Sequence, residues 1–122
     1  MKICIPELDN NGFESTISSH FGQTLFFMII DDETNSMRTI ENTAKGGHQG
    51  SAGPTPGQLI MEQGVDVVLC GGLGVRAVRM FEQAGIHVFN QASGTVADAM
   101  KAYKEGKLPE ATDATACQQH AH

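Results

Sequence analysis

The run Val65-Asp66-Val67-Val68-Leu69-Cys70, followed at once by Gly71-Gly72-Leu73-Gly74, constrains this chain more than any other stretch. β-branched residues pack well on a pleated surface, so the run reads as a central strand. The glycines then turn the chain into a helix from about Val75 to Ala84, closed by Gly85 in the position that favours a left-handed residue. A strand that passes through a glycine corner into a helix belongs to a layered α/β domain.

The remaining elements fit around this unit. Lys2–Pro6 alternates, with Ile3 and Ile5 on one face, and predicts a first strand. Glu7–Ser19 is polar and turn-rich, with Asn10-Asn11-Gly12 as its tip. Thr24–Ile30 is strongly apolar, and Met37–Glu41 returns after a polar turn to complete a hairpin. Residues 42–53 hold Gly46, Gly47, Gly50 and Gly53 around His48 and form a loop of the kind that often carries function. Thr55-Pro56-Gly57-Gln58 is a capping box that starts a helix reaching about Gln63, with Gly64 after its end. Ile86–Phe89 is a short strand. Thr95-Val96-Ala97-Asp98 caps a third helix whose Val96, Ala99, Met100 and Tyr103 form one apolar stripe. The expected order is β-β-β-α-β-α-β-α: a mixed five-stranded sheet with helices on its faces. Residues 1–106 make a single domain, and 107–122 an irregular tail.

With 122 residues, of which 40% are apolar and 18% charged, the chain suits one globular domain. No apolar stretch approaches the roughly 20 residues that span a bilayer, and the N-terminal apolar run is too short for a signal peptide, so the expected location is cytoplasmic and no membrane is involved. Fourteen acidic residues against eight basic ones give a net charge of −6, which disfavours nucleic acid as a partner. Cys4, Cys70 and Cys117 are odd in number and widely spaced, which is no disulfide framework.

Chemistry concentrates at the Gly71–Gly74 corner. Backbone N–H groups and the positive end of the following helix dipole converge there, glycine permits close approach of a ligand, and Arg76 and Arg79 add positive charge, so an anion suits it. A tight turn needing glycine for geometry alone is the plainer reading. Gly72-x-Gly74-x-x-Ala77 imitates a dinucleotide fingerprint, but the acidic residue such a site needs is replaced by Asn90. His20, in Ser18-Ser19-His20-Phe21-Gly22, and His48 are candidate ligands or donors, each equally readable as structural. His87 reads as structural. Cys117, His120 and His122 place a thiol and two imidazoles within six residues, a donor set for zinc, copper or iron, or else a polar tail. Three cysteines fall short of the four that hold a ferredoxin-type cluster.

Ser19-His20-Phe21-Gly22, Ile40-Glu41-Asn42, Gly64-Val65-Asp66-Val67-Val68 with its glycine corner, Gly85-Ile86-His87-Val88, Gly94-Thr95-Val96 and the Cys117…His120-x-His122 tail, taken in order, resemble the dinitrogenase iron–molybdenum cofactor biosynthesis family over essentially the whole chain. The resemblance implies a ribonuclease H-like fold and the binding or delivery of iron–sulfur or iron–molybdenum–sulfur species. The orange proteins, which hold a molybdenum–copper sulfide cluster noncovalently, look especially similar. By this likeness the cradle comprises Ser19, His20, Phe21, Gly22, Gly47, His48, Gly71, Gly72, Leu73, Gly74 and Arg76, with Phe21, Leu73 and Val75 as apolar walls and Cys117, His120 and His122 as a separate metal site. The expected function is a metal–sulfur cluster carrier without catalytic residues. The alternatives are a protein-interaction or regulatory module without a stable metal, and a nuclease using Glu7, Asp9 and Asp66, which lack a convergent pattern.

Overall fold

The computed structural model describes residues 1–18, 21, 24–42, 56–73 and 75–111, with Pro56 and Val75 described by backbone alone. The elements are β1 (Lys2–Glu7), a 3-10 turn (Gly12–Glu14), β2 (Phe26–Asp31), β3 (Ser36–Glu41), α1 (Pro56–Met61), β4 (Val67–Leu69), α2 (Val75–Gln83), β5 (His87–Phe89), α3 (Val96–Lys104) and β6 (Glu110–Ala111). They build one open mixed sheet in the order β3-β2-β1-β4-β5-β6. β1, β4 and β5 run parallel, while β2, β3 and β6 are antiparallel to their neighbours.

The period of two along each strand sorts the core into two layers. Cys4, Phe27, Ile29, Val68, Cys70 and Val88 point to the face covered by Ile60 of α1 and by Val78 and Phe81 of α2. Ile3, Ile5, Met28, Ile30, Val67 and Leu69 point to the other, covered by Val96, Ala99 and Met100 of α3. All three residues of β4 are buried, as a strand covered on both faces must be. Each fully buried side chain of this size contributes about 1.5–3 kcal/mol. α1 lies so close to α2 that a Cβ on Gly57 would run into the Met80 Cε.

The sheet has six strands where five were expected, so the segment from Lys107 onward is not irregular throughout. β6 pairs Ala111 with Val88 and Glu110 with Phe89. The Asn90 N–H, donating to the Pro109 carbonyl at 2.9 Å, brings the chain to that edge. Two residues following a proline offer no periodicity to read, and the pairing is decided by β5. The hairpin strands also shift: β2 begins at Phe26 because Thr24 turns its hydroxyl to the Glu7 carbonyl at 2.6 Å. The Thr55 cap of α1 and residues 43–53 of the glycine-rich loop lie outside the described residues.

At α3 the capping box forms as read: the Asp98 N–H donates to the Thr95 hydroxyl and the Thr95 N–H to the Asp98 carboxylate. Thr95→Ala is expected to lower stability by about 1 kcal/mol, seen as a lower urea midpoint with an unchanged denaturant slope.

Glu7 is the misfit of the core. It is fully buried on the α3 face, Oε1 accepts from the Thr39 hydroxyl at 3.3 Å, and Oε2 has no partner among the described residues. Burial raises its pKa above the usual carboxylate range, opposed by hydrogen bonds from Ser15 and Thr39. An acid with a raised folded pKa binds its proton more tightly folded than unfolded. Its stabilising contribution is therefore complete below the ordinary carboxylate range and is lost as pH rises through the raised value. Going from about pH 4 to about pH 7, the protein is expected to lose stability relative to Glu7→Gln, measured as the difference in urea midpoints.

Candidate functional site: the glycine corner after β4

β1, β4 and β5 bring their carboxyl ends to one edge of the sheet, where an open parallel arrangement leaves a crevice for ligands. β4 enters that edge through Cys70 and Gly71. The Cys70 N–H donates to the Phe89 carbonyl at 3.0 Å, the Cys70 carbonyl accepts from the Ala92 N–H at 2.9 Å, and the Gly71 carbonyl accepts from the Gln91 N–H at 3.2 Å. The loop after β5 is thus fastened along the corner, and Gln91 sits at φ +67°, a left-handed conformation uncommon outside glycine.

The corner is open. Gly71 and Gly72 are half-buried, and a Cβ placed on Gly72 would meet no atom within 4 Å. Gly72 does not adopt positive φ either. Neither crowding nor backbone geometry demands glycine there, which weighs against the plainer reading of a turn that needs it. What glycine does at this position is leave bare backbone facing free space. α2 starts immediately beyond, and Arg76 in its first turn is exposed.

Behind the corner the structure differs from expectation. Gly72 directs its N–H at the Cys70 sulfur, so that donor is not aimed outward. The Cys70 thiol is buried, lies 3.6 Å from Asn90 Oδ1 and 3.9 Å from the Phe89 carbonyl, and is pushed up to about 12 by burial, with the Gly72 N–H easing it back. Cys4, on the same face of the neighbouring strand, is raised well above the ordinary thiol range by burial first and then by Cys70 and Glu7. Asn90, buried at the end of β5, stands where a dinucleotide site would need a carboxylate. Cys70 and Asn90 were not among the expected site residues, although both terminate predicted strands and so reach this edge.

Phe21 and Leu73, expected as apolar walls, belong to the core behind the corner. The Phe21 ring meets Phe27 at a tilt and Phe81 edge to face, at centroid distances of 5.0 and 5.8 Å, and Leu73 is 8% exposed in the same cluster. Large apolar side chains beside a buried strand gain more from packing than from lining a wet crevice. The structure therefore brings Phe21, Gly71, Gly72 and Leu73 into one region, with Arg76 following on α2. Ser19, His20, Gly22, Gly47, His48, Gly74, Cys117, His120 and His122 lie outside the described residues, as does the side chain of Val75.

The carboxylates considered for nuclease chemistry are engaged separately. Asp9 accepts from the Thr16 N–H and the Asn11 amide, Asp66 accepts from the Lys2 N–H at 2.9 Å, and Glu7 is buried. Among the described residues no three His, Cys, Asp or Glu side chains gather around a metal-sized space, and no helix is long and apolar enough to cross a membrane.

Neutral, buried thiols are poor nucleophiles. Cys4 and Cys70 are expected to remain unalkylated by iodoacetamide in the folded protein at about pH 8 and to react fully in denaturant, as read by peptide mass mapping.

A model of the dinitrogenase iron-molybdenum cofactor family matches residues 1–106. An uncharacterized protein of Methanocaldococcus jannaschii is 36% identical over 111 residues, covering 88% of this chain and 89% of that protein. A proposed NifB protein from Thermotoga, solved by NMR, superposes with a TM-score of 0.75 at 28% identity, covering 89% of this chain and 91% of its own. The apo form of the orange protein from Desulfovibrio gigas shares the fold, with a TM-score of 0.75 at 24% identity and coverage of 90% and 92%.

Proposed function

The chain belongs to the dinitrogenase iron-molybdenum cofactor family, and from that membership we propose that it is a cytoplasmic carrier of a metal–sulfur cluster, held largely noncovalently, rather than an enzyme. The observation that carries the reading is the open space in front of Gly72, at a position where the fold itself has no use for glycine. A sulfide-rich anion requires donors and close approach of backbone, and it brings its own sulfur ligands. The bare backbone at Gly72 permits the close approach and the exposed Arg76 guanidinium supplies donors, with Gly74, His20 and His48 as further candidates from the sequence. The buried Phe21 and Leu73 support the cradle from behind.

Among cargoes we favour a molybdenum–copper sulfide cluster, with an iron–sulfur or iron–molybdenum species as the alternative. The likeness to the orange protein's fold and the membership in a nitrogenase-cofactor family support this choice. The ribonuclease H-like form implied by the resemblance is compatible with the mixed sheet. The tail donors Cys117, His120 and His122 form a candidate second metal site on the same chain.

Reconstitution with tetrathiomolybdate and copper is expected to give a protein-bound charge-transfer absorption and stoichiometric metal by elemental analysis. Gly72→Leu fills the open space without touching the core, so it should abolish that absorption while leaving the urea midpoint unchanged. Arg76→Glu should weaken binding by roughly tenfold, the scale of one charge-assisted contact. Full retention of the chromophore in Gly72→Leu, or a protein that takes up no molybdenum, copper or iron, would overturn the proposal.

A further inference from the structure

On the opposite face of the sheet, the 3-10 turn Gly12–Glu14 packs beside α3 and leaves a groove of about 440 Å³ lined by Phe13, Ala97, Met100, Lys101, Lys104 and Glu105. Its floor is apolar: Met100 reaches up from the core, and the Phe13 ring is 43% exposed. Among the described residues Phe13 is one of five large apolar side chains left exposed, and it is the one that borders this groove. Lys101 and Lys104 lie one turn apart on the rim, both exposed, and among the described residues neither makes an ion pair. Glu105 is already matched by Lys107 at 3.1 Å, so the rim carries two uncompensated ammonium groups on a chain whose net charge is −6. Lysines in the last turn also complement the helix dipole. That accounts for their charge but not for the open Phe13 beside them.

We propose that this groove docks a short acidic segment of a partner protein, seating an aliphatic side chain against Phe13, Ala97 and Met100 and its carboxylates on Lys101 and Lys104. The groove is widely open, which suits a peptide lying across it better than an enclosed small molecule. Charge complementarity to Lys101 and Lys104 selects the occupant as acidic rather than basic. The groove shares no residue with the glycine corner, so the two surfaces can be tested separately.

The test is a titration of ¹⁵N-labelled protein with the capped peptide Glu-Leu-Glu-Glu-Leu, beside Glu-Ser-Glu-Glu-Ser and Lys-Leu-Lys-Lys-Leu. The proposal expects saturable shifts confined to Phe13, Ala97 and the Met100–Glu105 turn for the first peptide alone, weakening as salt is raised. Lys101→Glu with Lys104→Glu should lower the affinity about tenfold, and Phe13→Ser should lower it severalfold, with spectra that otherwise remain those of the folded protein. Equal binding of the serine peptide, preference for the lysine peptide, shifts elsewhere, or no saturation into the millimolar range would each overturn it. So would a concentration-dependent dimer by sedimentation that Phe13→Ser dissolves, which would assign the groove to a second copy.

Discussion

Two backbone hydrogen bonds hold the layers of this molecule in relation to each other: Ala92 N–H to the Cys70 carbonyl and Gln91 N–H to the Gly71 carbonyl. A strand buried on both faces must leave its sheet without stranding its last carbonyls, and each one left unpaired costs about 1–3 kcal/mol. Here the loop after β5 satisfies them. The same loop reaches the Thr95 cap a few residues later and starts α3 across one face, while the chain leaving Gly72 starts α2 across the other. One junction therefore sets where α2 and α3 begin. It also explains why the open glycine edge can be bare without being loose: the Cys70 and Gly71 carbonyls are fixed from the side.

Elements whose signal is local were legible in the sequence. β4 is a dense β-branched run, α2 and α3 have helical spacing, and the α3 cap needs only residues Thr95 to Asp98. What escaped was decided at a distance. β6 exists because Val88 and Phe89 present an unpaired edge to Glu110 and Ala111, and no pattern within two residues records that. Glu7 read as the first residue of a polar loop, yet it is buried because the segment beyond it folds back, with the Leu8 N–H on the Thr16 carbonyl and the Ser18 N–H on the Pro6 carbonyl. Phe21 sits beside polar neighbours in the chain, and only the position of Phe27 and Phe81 shows that its ring faces inward. The corner itself was found by its glycines, while the thiol beneath it was not, because burial is not written in the identity of a single cysteine.

That thiol bears on how a cargo is held. Because burial pushes the Cys70 thiol up to about 12, its thiolate is costly to form near pH 7. A metal competing for that sulfur must overcome this before any bond is gained, and must also displace the contacts to Asn90 and Gly72. Burial thus protects this soft donor from permanent ligation. In the proposed role this is useful: a carrier that captured its cluster through a protein thiolate would surrender it slowly. Hydrogen bonds from peptides and a guanidinium hold an anion firmly enough to move it and release it without breaking a covalent bond.

Net charge acts in the same direction. At −6, the molecule repels anionic cargo at long range, and screening confines attraction to groups within roughly 8–10 Å of the ligand. In the proposed role, capture is local, through the corner and Arg76, and favoured only once the cluster is within reach. A partner presenting the cluster at short range overcomes that barrier better than free diffusion does. The architecture leaves room for such a partner. The Tyr103 hydroxyl meets the Met1 sulfur at 3.5 Å, which places the far end of α3, with Lys101 and Lys104, toward the amino ends of the strands, while the glycine corner lies at their carboxyl ends. A protein docked on the groove would leave the corner uncovered, so recognition of the partner and custody of the cargo would draw on separate surfaces of one small sheet.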